Sequence, residues 1–172
     1  MSFISLEASI PLTGLSRRTL WRRIADGTLR KLENDGQEEE GREEFSSREG
    51  SPRALLSLSR VLELAGLRLD EKTSERLLAA DRGNAEEQLF MGQYFYAQER
   101  YALAVYWFQL AAARGSADAM HCLGKCYAFG HGAEKNEELA WMWVAKAAAH
   151  EHVIAQRQMR ELLEQQALTP EK

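Results

Sequence analysis

The residue types best able to hold a metal or act as nucleophiles gather late in the chain: His121, Cys122, Cys126, His131, His150 and His152. Thiolate and imidazole are the usual zinc donors, and Cys122 and Cys126, four apart, would share one face of a helix. Their surroundings favour another use. Cys122 adjoins Leu123-Gly124, and a free cysteine among apolar neighbours packs as a small hydrophobe. The carboxylate pairs Glu86-Glu87 and Glu137-Glu138 fall at polar helix starts, where they suit the positive end of the helix dipole. No Walker loop, dinucleotide fingerprint or nucleophile elbow occurs. The expectation is a non-enzymatic protein with no catalytic residue, no metal and no cofactor. A metal-linked sensor using Cys122, Cys126 and a histidine stands as an alternative.

The other concentration of chemistry is positive charge. The stretch TGLSRRTLWRRIADGTLRKL, residues 13–32, holds six basic residues and one acidic residue in a chain whose net charge is −4. Residues 1–32 carry a net +4 and residues 33–50 a net −6. Positive charge is therefore local, and a partner for it belongs near the N-terminus. At 172 residues the chain can hold one ordinary domain or two small ones. No apolar run approaches the ~18 residues of a membrane span, so no membrane partner is expected. MSFISLEAS lacks a basic leader pattern, and two cysteines make no disulfide framework. Both point to a reducing cytoplasm.

The elements that must carry the arginines read as helix, glycine turn, helix, strand. Ser9 is the expected cap of the first helix, with Pro11 in its first turn. Thr13-Gly14-Leu15 is a tight turn, and Ser16 caps a helix that starts at Arg17 and stops at Gly27 after Asp26. On a helical wheel Leu20, Trp21 and Ile24 form the core face, and Arg18, Thr19, Arg22 and Arg23 lie opposite. Thr28 to Leu32 alternates like a half-buried strand, and Leu55-Leu56 would complete its sheet. A helix capped by Ser57 or Ser59 runs to Leu64, with Gly66 as terminator. Gly14-Leu15-Ser16, Arg18-Thr19-Leu20, Trp21-Arg22 and Gly27-Thr28-Leu29 together resemble the winged helix-turn-helix of the MerR and phage-excisionase group. That resemblance implies a DNA-reading second helix over 17–25. Arg18, Thr19, Arg22 and Arg23 would contact phosphates or guanine edges, and Arg17, Arg30 and Lys31 backbone phosphates. The expected wing, 34–50, is strongly acidic and departs from the pattern, since DNA phosphate would repel it.

The C-terminal half repeats itself. Ala85, Met91, Gly92 and Phe95 align with Ala117, Leu123, Gly124 and Tyr127 at an offset of 32; Ala104, Trp107 and Ala111–Ala113 align with Ala140, Trp143 and Ala147–Ala149 at an offset of 36. Each copy reads as helix, turn, helix, with the extra four residues in the second turn. Glycine inside a helix costs up to about 1 kcal/mol against alanine, so its recurrence implies a spot where a neighbouring helix crosses closely. The tryptophans would fill the space inside each helix pair. Val153, Ala155 and Met159 continue the pattern as a capping helix with a polar outer face, Gln156, Arg157, Arg160, Glu161, Glu164, Gln165 and Gln166. The Ala119, Leu123, Gly124, Tyr127 run, the Gly130-x-Gly132 turn, Ala140-x-x-Trp143 and Lys146-Ala147-Ala148 resemble the Sel1-like repeat family, relatives of the tetratricopeptide repeats. The first copy is degenerate, with Met91-Gly92, Phe95 and no Gly-x-Gly turn. The resemblance, over about 83–166, implies an α-solenoid that binds protein, with Gln93, Tyr94, His121 and Lys125 on its binding surface.

The expected architecture is mainly α: a winged helix-turn-helix domain over 1–68, a bridging helix over 69–82, and a repeat domain over 83–168. The expected function is a bacterial-type DNA-binding transcription regulator or recruiter whose solenoid engages a protein partner. The alternative is a pure protein-interaction adaptor in which the helix-turn-helix is a docking module. DNA use by one helix-turn-helix would need a homodimer or a partner.

Overall fold

The computed structural model describes residues 2–29 and 55–168, which form two compact units, Met1–Asp70 and Glu71–Lys172. In the first, strand β1 (Phe3–Ser5) pairs antiparallel with β2 (Leu55–Ser57), in the register Ile4 opposite Leu56. Ile4 and Leu56 point the same way from opposite strands and are both fully buried. Helix α1 (Leu6–Thr13) begins directly after β1, capped by Ser5, whose Oγ accepts the Ala8 N–H at 3.1 Å. The expected cap at Ser9 is therefore corrected. Pro11 lies inside the helix, not in its first turn, and Ser9 is buried with its hydroxyl donating to Ser5 O at 2.7 Å. Burial of Leu6, Ala8 and Leu12 outweighs the backbone donor that proline removes.

Gly14, at φ 67°, ends α1, and its N–H donates to Ile10 O at 2.9 Å. Ser16 Oγ then accepts the Thr19 N–H at 3.2 Å and starts α2 (Arg17–Ala25). Leu20 is fully buried and Ile24 half-buried, but Trp21 is 38% exposed and leaves the expected core face. Thr28 and Leu29 form no strand: Leu29 folds back, buried, with its N–H on Arg23 O at 2.8 Å. The partner of Leu55-Leu56 is instead the start of the chain. Helix α3 (Leu58–Leu64) follows β2 at once, with Ser57 at its cap position but making no side-chain cap bond. The described residues contain the helix, glycine turn and helix, but the winged form is not confirmed. The strand expected at 30–32 and the acidic wing at 34–50 lie outside the described residues.

Among its described residues the second unit stacks six helices: α4 (Glu71–Asp81), α5 (Ala85–Ala97), α6 (Tyr101–Ala113), α7 (Ala117–Phe129), α8 (Glu137–Ala149) and α9 (Val153–Leu168). The helix expected as a bridge, α4, packs against α5 and belongs to this stack. It is equivalent to α6 and α8, as the turns that follow show. Gly83, Gly115 and Glu151 all have positive φ. In each turn the next N–H returns to the back helix in the same way: Asn84 to Ala79 O, Ser116 to Ala111 O, His152 to Ala147 O, at 3.0–3.1 Å. Asn84, Ser116 and His152 then cap the front helices, accepting from Glu86 and Glu87, Ala119, and Ala155 respectively. Gln88 and Gln156, eight residues after Ala80 and Ala148, donate to those carbonyls.

The core explains the repeated glycines. A β-carbon at Gly92 would overlap the Phe108 ring, and one at Gly124 would meet Val144 Cγ2 at 2.9 Å and Ala140 O at 3.1 Å. Phe108, Trp107 and Ala111 are buried in the first pair, and Ala140, Val144 and Ala147 in the second. Of the tryptophans expected to fill both pairs, only Trp107 does so; Trp143 is half-buried with Lys146 Nζ 4.4 Å from its ring. The smaller Val144 already closes that pair against Gly124. Trp107 Nε1 is buried without a hydrogen-bond partner among the described residues, at a cost of about 1–3 kcal/mol. Alanine is otherwise the better helix residue by up to about 1 kcal/mol, whereas overpacking a fixed core costs about 1–3 kcal/mol. Gly92→Ala is therefore expected to lower stability in urea unfolding by about 1 kcal/mol or more, and Gly124→Ala by less. A raised midpoint for either would mean the helices do not touch there.

Candidate functional site

In the first unit, α2 positions the arginines. Ser16 fixes where the helix starts, and Leu20 fixes which side turns inward. Arg18 and Arg22 are then exposed, and Arg23 and Thr19 half-buried. Thr19 Oγ1 is engaged with Ser16 Oγ at 2.9 Å, so it serves the cap. Arg17 is drawn to Glu7 on α1 at 3.0 Å. Asp26 lies at the end of the helix, where Thr28 hydrogen bonds, and secondarily Arg23 and Arg22, hold its carboxyl below its ordinary value. The helix thus keeps its acidic residue charged beside its last two arginines. Arg30 and Lys31 lie outside the described residues.

In the second unit, the turns that align α5 and α7 open a groove of about 260 Å³ between them, lined by Gln93, Tyr96, Ala97, Phe108, Cys122 and Lys125. Two of the four expected binding residues, Gln93 and Lys125, meet here, both exposed. They sit 32 apart, at equivalent repeat positions. The other two do not join them. Tyr94 packs on Phe90 and against the edge of Phe95, beside a ring that Arg76 covers at 3.1 Å. His121 turns toward α9, with Nε2 3.2 Å from Gln158 Oε1 and its ring 4.4 Å from that of His152. One helical residue of difference is enough to move a side chain about 100° off the groove.

The sequence reading missed Tyr96, Ala97 and Phe108 as groove walls and His131 as their support. Tyr96 Oη lies 2.8 Å from His131 Nδ1, and the His131 ring stacks on Tyr101 at 4.4 Å and 13°. The long α7–α8 turn can come this close because Gly132 lies flat on the backbone of Tyr101 and Ala102. The Gly-x-Gly spacing was the signal. Burial raises the Tyr96 phenol, so it presents a neutral hydroxyl.

Burial pushes the Cys126 thiol up to about 12, and it also raises Cys122. Burial thus favours the protonated thiol at both, the less nucleophilic form. Among the described residues no three His, Cys, Asp or Glu side chains are grouped to hold a metal ion. No described helix is long and apolar enough to cross a membrane.

No protein-family model matches the chain. Two solved structures are similar to part of it. One is a protective antigen present in uropathogenic Escherichia coli strains, displaying an SLR fold; it is 31% identical over 56% of this chain, with a TM-score of 0.49. The other is a Sel1 repeat protein from Oxalobacter formigenes, 31% identical over 61% of this chain, with a TM-score of 0.48. The chain covers 22% and 33% of those proteins.

Burial, and then the neighbouring His152, lower the His121 pKa below its ordinary 6.5. The fold therefore favours neutral His121, while the unfolded chain binds a proton first as pH falls. The stability due to this site is complete above pH 6.5 and is lost progressively below it. The unfolding midpoint is expected to fall below pH 6.5 more steeply for the native chain than for His121→Gln. Parallel curves would show that His121 does not feel the fold.

Proposed function

We propose that this protein is a non-catalytic interaction scaffold whose α4–α9 stack holds a protein segment in the groove between α5 and α7. One observation carries this reading. Two equivalent polar positions, Gln93 and Lys125, border a floor of Tyr96, Ala97, Phe108 and Cys122. Such a mix of apolar floor and a few convergent polar groups is what orients a bound chain. Lys125 forms no ion pair among the described residues, so it is available to a carboxylate. The resemblance to Sel1-like repeats agrees with a binding role.

Ala97 is exposed at the last position of α5, so Ala97→Arg fills the groove without entering the core. Partner capture by the native chain is expected to be lost in Ala97→Arg and weakened in Lys125→Glu, with unchanged melting curves. Retention of the partner in both variants would refute the groove.

A second reading keeps the first unit as a DNA contact. It rests on Arg18 and Arg22, exposed on the outer side of a helix that follows a glycine turn. Phosphate binding releases counterions, so affinity would fall steeply with salt. Arg18→Ala/Arg22→Ala would flatten that slope while keeping the circular dichroism of the native chain. Binding of equal strength in both proteins, or none in either, would leave α2 as a docking helix.

A further inference from the structure

We propose that the C-terminal end of the stack is a self-association surface, on which α9 pairs with the α9 of a second copy of this chain across a two-fold axis. The argument starts from what the repeat places at each position. Leu163 on α9 stands where Phe95 stands on α5, and Trp141 on α8 where Val105 stands on α6. Phe95 and Val105 are 0% and 7% exposed, whereas Leu163 and Trp141 are 60% and 41% exposed. Surface that α5 and α6 bury at these positions is thus open on α9 and α8 among the described residues.

The same equivalence says what is ill suited to cover it. Arg160 occupies the position of Gly92 and Gly124, the two points where the following helix comes close. An arginine there opposes an approach as close as that of α6 to α5 or α8 to α7, and so disfavours a further helix in the same register and the head-to-tail stacking of copies that would place one there. An isologous contact, the same face on both copies, remains.

The charges on α9 fit that contact. Arg157 and Arg160 precede Glu161 and Glu164, and all four are exposed. Ala155 is fully buried on the inner side, with Gln158, Met159 and Leu162 half-buried there. An antiparallel helix pair centred between residues 160 and 161 sets Arg157 opposite Glu164 and Arg160 opposite Glu161, twice over. A parallel pair would set like charges together, so the order of charges also fixes the orientation. Arg157 lies 3.7 Å from Glu161 within its own helix, a loose contact that leaves both on the surface.

Sedimentation of the full chain over a concentration series tests this. A reversible dimer is expected, weakening with salt. Arg157→Glu/Arg160→Glu makes the face uniformly acidic and is expected to raise the dissociation constant on the order of a hundredfold, since like charges then face each other. Adding Glu161→Arg/Glu164→Arg restores a self-complementary order and is expected to restore the dimer, which no merely structural effect would do. Leu163→Ser, at an exposed site, is expected to weaken the dimer with the melting curve unchanged. A single chain's mass at every concentration would overturn the proposal, as would a dimer indifferent to the charge reversal or a species that grows beyond two copies.

Discussion

At Gly92 the ring of Phe108 occupies the volume that a β-carbon would need, and at Gly124 Val144 does nearly the same. These two close approaches set the spacing of α5 from α6 and of α7 from α8. Each glycine sacrifices helix propensity so that a large side chain from the facing helix can reach its backbone. The turns at Gly83, Gly115 and Glu151 then hand this spacing from one pair to the next, always with two backbone bonds back to the alanine-rich end of the preceding helix. The groove between α5 and α7 is a product of that regularity. Its walls are equivalent faces of two front helices, held apart by what lies behind them.

Much of this was legible in the sequence because it depends on local rules. The 32- and 36-residue offsets, the helical glycines, the serine and glycine that bound α2, and the burial of Cys126 all follow from periodicity and backbone conformation, whereas Cys122 is half-buried and faces the groove. What was missed depends on distant partners. β1 is three residues long and becomes a strand only because Leu55–Ser57 returns to it. Ser5 caps α1 because that strand must end there, and the proline argued for a later start. The membership of α4 in the stack was hidden because its turn uses Gly83-Asn84 where the others use Gly115-Ser116 and Glu151-His152, three different pairs doing one job. Tyr94 and His121 were placed on the right helices, but burial by α5's own rings and by α9 turned them to other tasks.

The two units divide the charge of the chain as well as its contacts. Arginine dominates α2; among the described residues Arg17 is paired with Glu7, and Arg22 and Arg23 lie near Asp26. Exposed ion pairs of this kind, such as Arg60 with Glu63 or Lys135 with Glu137, contribute about 0–1 kcal/mol each and do not hold the fold. Stability comes from the apolar interiors: Ile4, Leu20, Leu29, Leu56 and Val61 in one unit, Phe95, Trp107, Phe108 and Leu123 in the other. Surface charge is thus free to be used for recognition, positive at one end of the sequence and mixed at the other.

The order of packing in the second unit also bears on how the chain reaches this state. The main helix contacts run from α4 to α5, α5 to α6, α6 to α7, α7 to α8 and α8 to α9, with α5 and α7 also touching. Every such partner lies within a few dozen residues, so closing these contacts spans short loops and little chain entropy. Folding of a stack of this kind can start at any neighbouring pair and spread from there. α4 and α5 can meet while α9 is still being translated, and no residue that lines the groove between α5 and α7 lies beyond Lys125.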